Sequence, residues 1–240
     1  MHARVPRRTR RFAALLVIAG SVWAATPAAG GPPLICFPYE IGDAKSLPWG
    51  EGTHDKSSGY DRKAVVKDTL DLLKTEKDTL VRMETLRRAT IYVKDDRELA
   101  TELLAKFAFM ALDAEAADNE KWAATALFDA GFLAACYRQN GVDIGWKPGV
   151  EDHLQGWAWM KKGLEYDGSD PARQYAAALV LQEKNDGSYK PYLVRAIQGT
   201  ETGSNLAKSI ESNGVFGSKK IEELRESLGV ADARRRGTGR

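Results

Sequence analysis

The feature that most constrains the fold is an apolar spacing of three and four residues, which begins after Asp61 and continues almost to the end of the chain. Such spacing places apolar side chains on one face of an α-helix. No segment shows the strict apolar and polar alternation that is typical of a half-buried strand. The sequence therefore predicts an all-α fold, with helices near residues 65–73, 80–93, 95–117, 122–137, 150–164, 171–181, 189–197, 204–211 and 219–228.

Residues at the helix ends support these boundaries. Asp95 and Glu98 have the spacing of a capping box, and Asp170 with Pro171 forms an N-cap followed by proline in the first turn. Gly141 is expected just beyond the end of the fourth helix. Helices of about 15 to 20 residues joined by short turns are expected to pack as antiparallel hairpins. The hairpins form either a repeat-like superhelix or a closed bundle.

Residues 1–29 have the features of a secretory signal peptide. Five arginines precede a mainly apolar stretch of fourteen residues, Phe12 to Ala25, and small residues suited to cleavage lie between 24 and 29. A retained membrane anchor would need a longer apolar stretch, and no other segment reaches about 18 uninterrupted apolar residues. We therefore expect a secreted or periplasmic protein with no membrane span in the mature chain.

Residues 30–60 are predicted to be an ordered coil segment that packs on the helical body. Glycine and proline interrupt any sustained period. The segment nevertheless carries more large apolar side chains than a solvated linker would. These side chains are Leu34, Ile35, Phe37, Tyr39, Ile41, Leu47 and Trp49. The remaining chain divides into a helical domain, 61–216, and a short helix with a disordered basic tail, 217–240.

The charge distribution argues against a nucleic-acid partner. The full chain has a formal net charge of +2, but loss of the five arginines in the signal peptide leaves −3. Discounting the four arginines at 234, 235, 236 and 240 leaves −7 for the folded body. Recognition of nucleic acid needs clustered basic residues on a folded face, so the mature protein is not expected to bind it.

The two cysteines of the chain, Cys36 and Cys136, are predicted to form a disulfide, because an even count in an oxidising compartment favours pairing. The bridge would close a loop of about a hundred residues, which in the chain-entropy model stabilises by up to about 4.7 kcal/mol. The alternative is a free thiol at Cys36 and a small buried apolar side chain at Cys136.

One segment resembles a helical repeat. Gly156, Met160, Gly163 and Gly168 have roughly the spacing that the second helix of a tetratricopeptide repeat fills with alanine, an aromatic residue, alanine and proline, and Ala177-Ala178 follow where the next repeat places a small residue. The resemblance covers a small part of the chain and implies a diverged repeat with a concave surface for protein segments. A plain helical bundle is the alternative.

Few residues suggest catalysis or cofactor binding. The mature chain keeps two histidines, and it has no phosphate-binding loop, dinucleotide fingerprint, nucleophile elbow or zinc-ligand spacing. We therefore predict no metal site and no cofactor. The remaining enzyme hypothesis is a Cys36 nucleophile activated by His54 or His153, with Asp55 orienting the base.

Asp129 is predicted to be a buried carboxylate, because it lies inside the apolar run 126–137. A buried charge needs a partner. Arg87 and Arg88 lie in another mostly apolar run, so we expect a structural ion pair that fixes the register of two helices.

Tryptophans are the candidate binding residues. Trp49 is expected to anchor the coil in or beside a groove formed by the helices, and Trp146, Trp157 and Trp159 form a second group with Tyr166. Trp157 and Trp159 point about 200° apart on a helix, so one of them is expected to be exposed as a platform for a glycan or peptide.

These observations predict an exported, non-enzymatic interaction or scaffold module of the cell envelope, with a protein or peptide as its partner. Two alternatives remain open: an exported hydrolase with a Cys36 nucleophile, and a helical domain that binds carbohydrate through exposed tryptophans.

Overall fold

The computed structural model describes residues 31–145, 152–184, 186–217 and 219–230. The predicted signal peptide, Trp146 and the basic tail at 231–240 lie outside the described residues. Within the described ranges the chain is all-α, as predicted, and contains no strand. The helices are α1 Val65–Leu73, α2 Thr79–Val93, α3 Arg97–Ala116, α4 Glu120–Asn140, α5 Asp152–Tyr166, α6 Pro171–Gln182, α7 Lys190–Gly199, α8 Asn205–Ser212 and α9 Ile221–Ser227.

Side-chain caps and a terminal glycine set several of these ends. Asp170 caps α6 by accepting a hydrogen bond from the Ala172 amide, as predicted. Gly141 ends α4 with a left-handed φ of 64°, also as predicted. The cap of α3 was predicted one residue too early, because Asp96 rather than Asp95 accepts from the Leu99 amide. Asp96 is the residue with the extended backbone that an N-cap requires.

Helix α4 lies at the centre of the fold. It packs against α2, α3, α5 and α6, and its residues 126–137 are buried without interruption. A helix that is buried on all sides belongs to the core rather than to the surface of a domain. The side chains of 126–137 are therefore enclosed by neighbouring elements, and a charged one among them must find its partner inside the protein.

Glycines bring α4 and α5 into close contact. A Cβ at Gly131 would lie 2.5 Å from the Gly156 carbonyl oxygen, and one at Gly163 would lie 2.9 Å from the Ala124 carbonyl oxygen. Two of the residues that resemble a tetratricopeptide repeat, Gly156 and Gly163, thus allow two helix backbones to approach. The repeat itself stays a prediction.

The coil segment packs on the helices, as predicted. Leu34, Ile35, Tyr39 and Leu47 are buried in the same apolar core as the helical residues. Ile221 and Leu224 of α9 are buried in that core too, while the predicted domain boundary at 217 stays a prediction. Helix α9 packs on α7 and α8, so it belongs to the helical body.

No helix among the described residues combines the length and apolar character needed to cross a bilayer.

Candidate functional site

Asp129 is a buried ion-pair residue, as predicted, but its partner is Arg82. The carboxylate accepts hydrogen bonds from Nε of Arg82, at 3.1 Å to each oxygen, and from Nη2. The side chains of Arg82 and Asp129 are 6% and 0% exposed. Nη1 of Arg82 donates to the Leu73 and Glu76 carbonyls at 2.7 and 2.6 Å. The pair therefore ties α2 and α4 to the C-terminal end of α1.

The predicted pairing of Asp129 with Arg87 and Arg88 is wrong because those arginines face another direction. At 100° per residue, Arg87 points about 140° away from Arg82 around α2. Both arginines bind Glu84 instead: Arg87 at 2.8 Å through Nε and Nη2, and Arg88 at 2.7 Å through Nε. The Glu84 and Arg87 side chains are fully buried.

This buried charge cluster, Glu84, Arg87 and Arg88, holds the coil segment in place. Glu84 accepts from the Tyr39 amide at 3.1 Å. Arg87 donates to the Ile35 carbonyl at 2.9 Å and to the Thr53 carbonyl at 3.0 Å, and Arg88 donates to Leu47 at 2.8 Å. An irregular segment has no ladder to satisfy its backbone, so charged side chains supply the missing partners. The cluster therefore has a structural role.

Trp49 anchors the coil, as predicted, although it does so from a half-buried position. Its indole N–H donates to the Gly52 carbonyl at 2.8 Å, and its ring packs edge-on against Tyr92 with centroids 5.7 Å apart. The Arg87 and Arg88 guanidiniums lie 5.2 and 5.5 Å from its ring centroid. These contacts occupy the ring within the protein, so Trp49 is not a free binding surface.

The structure also describes two of the three remaining tryptophan candidates, whereas Trp146 lies outside the described residues. Trp157 and Trp159 are both half-buried against the core, and Trp157 packs edge-on against Tyr192 with centroids 5.4 Å apart. The expectation that one of the two is an open platform is therefore not met. Among the described tryptophans the most exposed is Trp122, in the first turn of α4, which is 39% exposed.

A cleft of about 910 Å³ opens beside Trp122, and the Arg82–Asp129 pair lies on its wall. The end of α1, the α1–α2 turn, α3 and the start of α4 form its sides. We name it the Trp122 cleft, and it is lined by Leu70, Asp71, Leu73, Lys74, Thr75, Glu76, Lys77, Arg82, Met110, Asn119, Lys121, Trp122, Thr125, Ala126 and Asp129. Its volume is in the range of sites that bind ligands.

The charges of the Trp122 cleft are separated by depth. Burial lowers the pKa of Arg82, but the charge and hydrogen bonds of Asp129 outweigh burial and hold that pKa above its usual value. The Arg82 guanidinium therefore keeps its positive charge inside the protein, where it lies against the Asp129 carboxyl group. Lys74, Lys77 and Lys121 are exposed, and none forms an ion pair with another described residue. Free positive charge thus lies at the mouth of the cleft.

Sequence reasoning missed Arg82 and Trp122. Arg82 shares a stripe of α2 with Leu86, Ala89 and Val93, all fully buried, so its position in an apolar seam was a readable signal. Trp122 begins the predicted helix 122–137, and its position in the sequence does not distinguish it from a core residue. It directly follows Glu120 and Lys121 in the first turn of α4 and is 39% exposed.

Both cysteines are free thiols in the structure. Cys136 is fully buried, and burial raises its pKa strongly. Burial also raises the pKa of the Cys36 thiol, although the nearby Arg87 charge opposes the effect. The predicted disulfide stays a prediction, and alkylation before and after reduction tests it.

No group of three metal-binding side chains occurs among the described residues. Comparison with known proteins adds no constraint, because no family model, curated protein or solved structure matches the chain.

Proposed function

We propose that this protein is an exported, non-enzymatic interaction module that captures a segment of a protein partner in the Trp122 cleft. The observation that carries the proposal is the cleft itself, where an exposed indole, apolar side chains and unpaired lysines surround a buried ion pair. Exposed aromatic side chains beside a concave surface are typical anchors of binding sites.

The lining defines the chemistry of the partner segment. Leu70, Met110 and Trp122 offer an apolar surface to one or two apolar side chains. Lys74, Lys77 and Lys121 favour carboxylates in the partner segment, on either side of its apolar side chains. Asp71 and Glu76 lie on the same rim, where Asp71 forms an ion pair with Lys67 and Glu76 accepts from the amides of Lys77 and Asp78. An acidic segment with a central apolar pair fits this arrangement best.

Export is supported by the composition of the leader. Arginines, fourteen mainly apolar residues and small residues follow one another in the order that a signal peptide requires. A negatively charged mature body remains after cleavage. The resemblance to tetratricopeptide repeats supports a protein segment as the ligand.

The alternatives have less support. A Cys36 nucleophile needs a thiolate at neutral pH, whereas burial raises the pKa of this thiol and no hydrogen bond joins Cys36 to His54. The side chain of His153 lies outside the described part of the chain. A carbohydrate platform on Trp157 or Trp159 would need an open ring face, and both rings are half-buried.

Peptide binding tests the proposal. Fluorescence anisotropy would measure the affinity of a labelled peptide with a central Leu-Phe pair between two glutamates on each side. The matched probe replaces the glutamates with lysines. We expect the acidic peptide to bind at least about tenfold more tightly, because the rim lysines attract one and repel the other.

Variants then locate the binding. Trp122→Ala and Lys121→Glu should each weaken binding of the acidic peptide by about fivefold or more. Lys208→Glu, an exposed lysine of α8 outside the cleft lining, is the charge-matched control and should change little. Equal binding of both peptides, or equal loss in Lys121→Glu and Lys208→Glu, would contradict the proposal.

A further inference from the structure

The outward face of α3 carries the most exposed large apolar side chains of the described chain. Phe109 is 64% exposed and Leu112 is 59% exposed. The opposite face of the same helix is buried through Leu103, Phe107 and Ala111. Helix α3 therefore has two apolar faces, and the core accounts for one of them.

The outward face has the spacing of a helix-pairing seam. Ala105, Phe109, Leu112 and Ala116 follow at intervals of four, three and four residues. At 100° per residue they fall within about 60° of arc, which makes a narrow stripe along three turns. Alternating intervals of three and four are the pattern by which one helix packs against another. We name these four residues the α3 seam.

The α3 seam has the same spacing and the same order of side-chain sizes from either end. Small residues occupy its ends, at Ala105 and Ala116, and large residues occupy its centre. If a second α3 runs antiparallel about a twofold axis between 110 and 111, Phe109 meets Leu112 of the other copy. Each alanine then meets the alanine at the far end. A twofold interface requires such self-complementarity.

Charges beside the seam have the same symmetry. Lys106 and Asp113 lie about 20° apart on one flank of α3, and both are exposed. Neither forms an ion pair within the described part of the chain. In the antiparallel arrangement Lys106 of one copy lies near Asp113 of the other, with an axial offset of about 3 Å that a lysine side chain can span. The twofold axis generates this pair twice.

We propose that the protein forms a homodimer in which two copies of α3 pack antiparallel through the α3 seam, with a Lys106–Asp113 ion pair at each end. The buried surface is short, so the dimer is weak and concentration-dependent. The Trp122 cleft contributes nothing to this interface, and the proposal does not depend on the proposed function.

Sedimentation equilibrium of the purified protein at about 1 to 200 µM tests the dimer. Leu112→Glu should raise the dissociation constant at least about tenfold, because it places a charge in the apolar centre. Leu112 is largely exposed, so the thermal midpoint should stay within about 2 °C of the parent value. Lys208→Glu, at an exposed lysine of α8, is the control and should leave the dissociation constant unchanged. Phe37→Glu is unsuitable as a control because Phe37, in the coil segment, is half-buried.

A charge exchange identifies the geometry. Lys106→Asp and Asp113→Lys should each weaken the dimer about threefold or more, because each places like charges together. The double exchange should restore affinity to near the parent value, since both pairs are re-formed with reversed sign. A monomer throughout the concentration range, a dimer unaffected by Leu112→Glu, or a double exchange no tighter than the single variants would each overturn the proposal.

Discussion

Replacing Asp129 with alanine should destabilise the protein by about 3 kcal/mol. The change removes the acceptor for Nε and Nη2 of Arg82, whose side chain is only 6% exposed. Breaking a buried ion pair on one side costs about 3 to 5 kcal/mol. Two features favour the lower end of this range of destabilisation. Nη1 of Arg82 keeps its hydrogen bonds to the Leu73 and Glu76 carbonyls. Arg82 also lines the Trp122 cleft, from which water can reach the vacated space.

Urea denaturation followed by circular dichroism measures this cost. Asp129→Asn should lose less, because the amide oxygen still accepts a hydrogen bond from the guanidinium. The double variant Arg82→Met, Asp129→Leu should be more stable than either single change, since no unpaired charge remains buried. We expect a coupling energy of at least about 1.5 kcal/mol from this double-mutant cycle. Glu223→Ala, an exposed acid, should stay within about 0.5 kcal/mol.

The result that would refute this reasoning is a loss below about 1 kcal/mol for Asp129→Ala, comparable with Glu223→Ala. Additive effects of Arg82→Met and Asp129→Leu would refute it as well, because residues in direct contact are expected to couple. Either result would mean that Asp129 is not held by Arg82 inside the protein.

Three further measurements test the coil, the α4–α5 contact and the thiol. Glu84→Gln should raise the hydrogen-exchange rate of the Tyr39 amide, which loses its charged acceptor. Gly131→Ala should lower the thermal midpoint despite a helix-propensity gain of about 1 kcal/mol, because its Cβ would lie 2.5 Å from an α5 carbonyl oxygen. Gly59→Ala is the control and should not lower the midpoint, because a Cβ there meets no other atom within 4 Å. In the reduced protein, Cys36 should alkylate more slowly than free cysteine at pH 8, since burial raises its pKa, and should speed up as pH rises.

The helices could be predicted from the sequence because the spacing of apolar residues and the capping residues indicate the same helix boundaries. Asp170 with Pro171, and Gly141, gave correct ends for α6 and α4. The one-residue error at Asp95 arose because Asp95 and Asp96 are adjacent acids, and backbone conformation alone decides which of them caps. Burial of the coil segment was also predictable, since its large apolar side chains need a surface to cover.

The candidate site was less predictable, because it depends on which faces of distant helices meet. Burial of Asp129 followed from its apolar neighbours, whereas its partner depends on the angle at which α2 meets α4. Arg82 and Arg87 both interrupt apolar runs, and only the stripe shared with Leu86, Ala89 and Val93 distinguishes them. The Trp122 cleft needs four separate helices and a turn to form, so no local pattern indicates it.

Helix α2 shows why hydropathy alone misled the assignment of charges. Nearly all of its residues are buried, including Arg82, Glu84 and Arg87, although charged side chains normally mark the solvent face of a helix. The coil segment covers the face of α2 that carries Glu84 and Arg87. The backbone amides and carbonyls of the coil have few partners within the coil itself. A covering helix satisfies its own backbone by internal hydrogen bonds, and an apolar face then suffices beneath it. An irregular covering segment cannot, so the helix beneath it must supply charged donors and acceptors. The apolar side chains of residues 34–49 and the charges of α2 are therefore two parts of one requirement, and neither would be stable without the other.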